Sequence, residues 1–273
     1  NSFAMNSVAV PRLPGEAIGG ICMLDDGSDH TLTINVEYNQ LEPLLKDTPT
    51  GGDVADATGF SPYPGNINVL VFNLPVMARC LDKTGGVVPE FVNPKWADAA
   101  KTKFKSPTRL ECMMQEFPRL CGPGDKVGFT QLDRLMCFTC VKNNLADAAK
   151  KRPHDCALSA ESDIYACNAQ MLTLSGTDVQ IEPAEDVTFL GITAKIGARV
   201  VLKPAFGISL EDMKSKVKGR IRISRRSVLV LGGGASINGL ELDGALEVEG
   251  EGEAKDLVVK NAGRPLQAIP ETE

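Results

Sequence analysis

GRIRISRRSVLVLGGGASINGLELDGALEVEGEGE, residues 219–253, decides the architecture of its half of the chain. Short segments rich in Ile, Val and Leu recur between turns built from Gly, Asn and Asp, a pattern of brief strands rather than helix. The same texture begins upstream in VTFLGITAKIGARVVLKP (187–204), and helix is confined to ISLEDMKSKVKG (208–219). Repeated short strands between glycine turns are expected to stack as a β-coil or β-helix, with a sandwich as the alternative. GLELDGALEVEGEGEA (239–254) presents an acidic face that reads as solvated surface.

Before residue 185 the pattern changes. Ser7–Pro11 reads as a strand end and Ile18–Leu24 as a strand, followed across the turn cluster DDGSDH by TLTINVEY, whose Leu32, Ile34, Val36 and Tyr38 alternate like a hairpin partner. NQLEPLL and INVLVFNLPVMARCL read as helices, with Asn66 of PGN as an N-cap, and TPTGGDVADATGFSPYPG between them is a long loop of the kind that often carries function. VVPEFVNP and VGFTQLDR are strand candidates. RLECMMQEFPRL reads as an amphipathic helix burying Leu110, Met113, Met114 and Phe117, and SAESDIYACNAQMLTLSG as a helix capped by Ser159 and stopped by Gly176. Alternating strands and helices predict an α/β domain over 1–188, followed by a small all-β domain over 189–273.

The 273 residues are 43% hydrophobic and 23% charged, a globular composition, and the net charge of −6 argues against nucleic-acid binding as the main role. No apolar run approaches the roughly 18 residues that suggest a membrane span. Eight cysteines in a chain of this length fit cytosolic thiols, and the Cys137–Cys140 pair has no second pair at zinc-binding spacing. His30 and His154 stand far apart, which disfavours a histidine-centred metal site or a Ser-His-Asp triad.

Four features carry chemical interest. Gly19 and Gly20 lack a Cβ and let backbone or ligand approach closely. Glu37 sits at a strand end, where a carboxylate can accept hydrogen bonds from two hydroxyls. Asn66 stands at a Gly-Asn entry. Among the basic residues Lys95, Lys101, Lys103, Lys105 and Arg109, most read as solvated loop charge; Lys142 differs, expected in a turn after an apolar strand from Val127 to Val141, where an ammonium can face phosphate.

MNSVAVPR, EAIGGI, INVEYNQL, GFSPYPGNIN, FKSPTRLECMMQ, VGFT, VKNN and LDGAL together resemble the UDP-sugar pyrophosphorylases of the broad-specificity plant and protist type, across almost the whole chain. The resemblance implies a Rossmann-like nucleotidyltransferase domain followed by a left-handed β-helix-like domain, in the cytoplasm. It also implies the reaction: UTP plus sugar 1-phosphate gives UDP-sugar plus pyrophosphate, reversibly, with Mg²⁺. Gly19, Gly20, Glu37 and Asn66 then line the UDP-sugar pocket, and Lys142 contacts phosphates as the catalytic residue.

Two departures accompany the likeness. Thr139-Cys140-Val141-Lys142 stands where relatives usually carry Ser-Pro-Val-Lys, and no Leu-x-Gly-Gly-x-Gly-x-x-Leu-Gly loop, which holds the UTP phosphates in relatives, occurs in these residues; GGGAS (232–236) lies in the β-rich tail and is no substitute. The chain is therefore expected to be a C-terminal portion of the enzyme, inactive alone, with the Mg²⁺ ligands elsewhere and an unpaired sheet edge that favours self-association. The rival reading is a non-catalytic UDP-sugar-binding or assembly module.

Overall fold

The computed structural model describes residues 2–25, 27, 31–92, 96–100 and 102–264. His30, Lys95 and Lys101 lie outside the described residues. The chain divides into two compact units, Asn1–Phe138 and Thr139–Glu273. The division falls well before the 188/189 boundary expected from sequence, because the long helix after residue 156 packs onto the β-rich strands that follow it.

The first unit holds strands β1 (Met5–Val10), β2 (Gly20–Asp25) and β3 (Thr31–Val36), helix α1 (Tyr38–Lys46), strand β4 (Gly65–Phe72), helix α2 (Leu74–Thr84), strands β5 (Glu90–Val92) and β6 (Leu110–Cys112), a 3-10 helix (Met114–Leu120), strand β7 (Val127–Gln131) and the short helix α3 (Arg134–Cys137). Five strands form one sheet in the order β3-β2-β4-β1-β7, with β1 and β7 parallel and the other pairs antiparallel. The expected pairing of β2 with β3 is present, Cys22 opposite Ile34 and Leu24 opposite Leu32.

Three local readings need correction. The run from Ile67 is a strand rather than a helix: Val69, Val71 and Phe72 belong to β4, and the helix starts only at Leu74, capped by Asn73, whose side chain accepts the Val76 N–H. A β-branched run favours extended backbone, and Pro75 at the first turn suits a helix start there. RLECMMQEFPRL splits into a strand and a 3-10 helix, with Phe117 buried but Leu110 70% exposed, since Pro118 has no N–H to continue a regular ladder. Asn66 thus lies in β4, where the pairing with β1 slips: Val8 faces Val69, yet Ala9 faces Asn66. The two intervening residues bulge outward, and Asn68 takes a left-handed φ of 64°.

The second unit contains α4 (Leu145–Ala148), α5 (Ala157–Ser175), β8 (Asp178–Ile181), β9 (Glu185–Phe189), β10 (Ile192–Ile196), β11 (Arg199–Leu202), α6 (Leu210–Lys216), β12 (Val217–Ile223), β13 (Val228–Leu231), β14 (Ser236–Asp243), β15 (Ala245–Val248) and β16 (Glu253–Lys260). From β11 onward the strands alternate between two parallel sheets, β11-β13-β15 and β16-β14-β12-β8. Equivalent residues therefore stack: Ile221, Leu240 and Leu257 in one column, Leu202, Leu231 and Val248 in another. Strand β13, VLVL, is buried at every position, as a parallel strand covered on both faces requires. At the irregularity after Lys218, inside the strands, the column reads Gly219, Gly239 and Asp256, all with positive φ (72°, 89° and 45°). A Cβ on Gly219 would come within 2.6 Å of the Gly239 nitrogen, so the close approach of the neighbouring strands there requires glycine.

The main apolar core of this unit joins Leu172 of α5 and Met213 of α6 to Val200, Ile221, Ile223, Leu229, Leu231, Leu240 and Leu242, and a smaller cluster gathers Ala148, Cys156 and Ile192. Helix α5 ends at Gly176 as expected; its cap residue is Cys156, and Ser159 accepts the Cys156 N–H from the third helical position.

Candidate functional site

Three strand ends converge in the first unit on a small polar group. Gly20 of β2 pairs with Gly65 of β4, and the Asn66 N–H donates to the Gly19 carbonyl at 2.8 Å. Asn66 is buried to 9% exposure. Its Oδ1 accepts the Asn68 N–H at 2.9 Å across the bulge, and its Nδ2 donates to Asn35 Oδ1 of β3 at 3.2 Å. Asn35 Nδ2 in turn donates to Glu37 Oε1 at 2.8 Å. Glu37 is the residue immediately before α1, but its side chain caps nothing. Gly19, Gly20, Glu37 and Asn66 thus gather in one place, with Asn35, which the sequence reading passed over, as the link.

Gly19 and Gly20 are both constrained by protein neighbours. A Cβ on Gly19 would lie 2.4 Å from Asn35 Oδ1, and one on Gly20 would lie 2.8 Å from Leu41 Cδ2. Close packing is therefore sufficient reason for glycine at both.

Behind these glycines lies a buried ionic anchor. Arg12, with no exposed surface, donates to Asp53 Oδ2 at 2.7 Å, Ser61 Oγ at 2.8 Å and the Tyr63 carbonyl at 3.2 Å. Burial alone would raise the Asp53 carboxyl, but hydrogen bonds from Ser61, the Gly15 N–H and Arg12 outweigh it and hold it below the usual carboxylate range. Burial pushes the Cys22 thiol up to about 11, with Arg12 opposing, so Cys22 is protonated and no nucleophile at neutral pH. A second buried carboxylate, Glu16, receives Arg134 through both oxygens at 2.5 and 3.0 Å. Arg12, through Asp53 and Ser61, ties the long loop after α1 to the end of β1. No periodicity signals a pair 41 residues apart; the only trace in sequence is a lone Arg directly after the apolar run SVAVP.

Lys142 belongs to the second unit. It does not follow a continuous strand from Val127 to Val141, because β7 ends at Gln131 and α3 intervenes. The Lys142 and Asn143 N–H groups both donate to the Asp155 carbonyl, at 2.7 and 2.9 Å, and Asn143 Nδ2 donates to the His154 carbonyl. His154 is buried: its Nδ1 lies 2.7 Å from the Ala148 carbonyl and its Nε2 accepts the Thr193 N–H at 3.2 Å, so it holds this loop in place. Lys142 itself is exposed. Lys103 and Lys105 are likewise exposed, and Arg109 reaches Glu111 only at 3.9 Å, the behaviour of solvated loop charge.

A cavity of about 920 Å³ in the first unit is lined by Thr33, Cys121, Asp125 and Val127 among others, and by none of the sequence-nominated residues. Among the described residues, Cys80, Cys121 and Asp125 bring potential metal-ligand atoms within 4.8 Å of one another. Asp125 is already engaged by Arg79 through both oxygens, and burial with the neighbouring Cys80 pushes the Cys121 thiol up to about 12. Magnesium takes oxygen ligands, so two thiols and an occupied carboxylate do not fit it. Among the described residues, no helix is long and apolar enough to cross a membrane.

The chain combines a mixed α/β first unit with a β-rich second unit. A crystal structure from Entamoeba histolytica, described as a UDP-N-acetylglucosamine pyrophosphorylase, matches 83% of this chain and 49% of its own at a TM-score of 0.50 and 16% identity, a likeness of fold. More particularly, the chain is homologous to the UDP-sugar pyrophosphorylases. It is 44% identical over 98% of its length to the one from Oryza sativa subsp. indica and 43% identical to that of Arabidopsis thaliana. It spans 44% of the length of each of these relatives. No family model matches the chain.

Proposed function

We propose that this chain supplies the sugar-recognition part, and one phosphate contact, of a uridylyltransferase that joins UTP to sugar 1-phosphates, releasing pyrophosphate, and runs in reverse on UDP-sugars. The observation that carries the reading is the 44% identity, over nearly the whole chain, to a UDP-sugar pyrophosphorylase. Glu37 and Asn66 hold sugar hydroxyls, the carboxylate accepting and the amide adding polar contact, while Gly19 and Gly20 keep the strand ends close. Lys142, in the second unit, neutralises charge on the phosphates. Transfer of a uridylyl group by in-line attack on the α-phosphorus is mainly positioning and charge neutralisation, which asks for no nucleophilic side chain.

The finer features of this reading are a Rossmann-like first domain, a left-handed β-helix-like second domain and a cytoplasmic location. The alternating parallel sheets of β11–β16 support the second of these. The Mg²⁺ ligands and the triphosphate loop are assigned outside these 273 residues, in keeping with a sequence that contains no such loop. Isothermal titration with UDP-glucose tests the site: saturable binding at micromolar to low millimolar concentration is expected, and its absence would favour an assembly module. A pyrophosphate-release assay with UTP, magnesium and glucose 1-phosphate tests the assignment of the loop, since robust turnover by these residues alone would place a triphosphate site among them. Sizing chromatography reads self-association.

A further inference from the structure

We infer that Asn35 is the positioning residue of the sugar subsite: its side-chain amide fixes both the Glu37 carboxylate and the Asn66 amide in the orientation that meets a hydroxylated ligand. This rests on the functional reading above, and it adds a residue which that reading did not contain.

The hydrogen bonds run in one direction only. The Asn68 N–H donates to Asn66 Oδ1, which turns Asn66 Nδ2 toward β3. Asn66 Nδ2 then donates to Asn35 Oδ1, and Asn35 must present its Nδ2 to Glu37 Oε1. Reversing either amide would set oxygen against oxygen or donor against donor. The chain is anchored at its start by the bulge in β4, where Asn68 takes a left-handed φ of 64° and its N–H meets Asn66 Oδ1. It ends on a carboxylate at a helix N-terminus, where capping the free N–H groups would be the usual use. Glu37 makes no such cap. Among the described residues, its one side-chain hydrogen bond is the one from Asn35, which leaves Oε2 for a ligand. Gly19 belongs to the same device. A side chain there would occupy the place of the Asn35 amide, 2.4 Å from its Oδ1.

The test is UDP-glucose titration into the full natural protein that carries these residues, using Asn35→Ala, Asn35→Asp, Glu37→Ala and the Asn35→Ala/Glu37→Ala double variant. Asn35→Asp keeps the shape but sets a second carboxylate against Glu37, and is expected to weaken binding about tenfold or more with little change in melting temperature. Asn35→Ala should weaken binding to a similar extent, and the double variant should bind no worse than Glu37→Ala, because Asn35 acts through Glu37. Losses that add in the double variant, or wild-type affinity in Asn35→Asp, overturn the inference while leaving the functional reading intact. A wild-type protein that does not bind UDP-glucose overturns the functional reading, and the inference with it.

Discussion

The two units bury different things. Residues 1–138 enclose small apolar clusters, one around Cys22, Ile34, Val36, Leu41 and Leu45, another around Met5, Cys80 and Phe117, and between their strand ends they bury Arg12, Asp53, Glu16 and Asn66. Residues 139–264 bury one large apolar core and a small cluster around Ala148, Cys156 and Ile192, and ion pairs such as Arg226 with Asp243 stay at the surface. Stacked parallel strands need only repeat an apolar column. A polar site needs charges fixed in low dielectric, and fixing them brings specific partners from distant points of the chain. The difference marks the first unit as the one that sacrifices apolar burial to orient polar groups.

The sharpest way to break this contrast is to remove the ionic anchor. Arg12→Ala leaves Asp53 buried without its partner, and breaking such a pair costs about 3–5 kcal/mol. Hydrogen exchange should show β1, β2 and β4 losing protection while β12 and β14 keep theirs. Equal loss in both units would mean that the anchor does not belong to the first unit alone.

Leu240→Ala is the counterpart in the second unit. It removes a side chain 3% exposed in the middle of a stacked column, at a cost of about 2–5 kcal/mol. The loss should appear in β12, β14 and β16, and protection in β1 should be unchanged.

Function separates the units next. If the proposed function holds for the full natural protein, Lys142→Ala should lower kcat about a hundredfold, the effect of losing one preorganised charge contact, whereas Glu37→Gln and Asn66→Ala should weaken UDP-sugar use by about 1–3 kcal/mol with little effect on UTP. Wild-type turnover in Lys142→Ala would make that residue a solvated lysine. An Asn66→Ala change confined to melting temperature would leave Asn66 a bulge residue with no ligand contact.

The smallest expected difference is in acid. Asp53 is held below its ordinary value of about 3.9 in the folded chain, so its stabilisation is complete above that pH and is lost as pH falls through the lower, folded value. Asp243 is also lowered, to about 2, by hydrogen bonds from Arg226 and Ser224, but the pair is exposed and screened by solvent. Between pH 4 and about 2, β1 and β4 should lose protection before β14 and β15 do. The reverse order would assign the acid-sensitive contact to the second unit.

How far sequence reached follows the same division. The short strands over 219–253, the hairpin of β2 and β3, and the C-terminal end of α5 were legible because periodicity and glycine are local signals, whereas the start of α5 lies at Cys156 rather than Ser159. Family motifs singled out Gly19, Gly20, Glu37 and Asn66, which the strand pairing brings near one another. What sequence could not supply was the role of Asn66 in the chain, since PGN before an apolar run reads equally as a helix cap or a strand entry. Only pairing with β1 settles it, through a bulge that no single-strand pattern encodes. Asn35, Arg12 and Asp53 escaped for the same reason: each owes its role to a partner brought near by folding, 31 residues away for Asn35 and 41 for Arg12. Local propensity determined the elements, and tertiary pairing decided which polar groups face one another, because a buried hydrogen bond is specified by both of its ends.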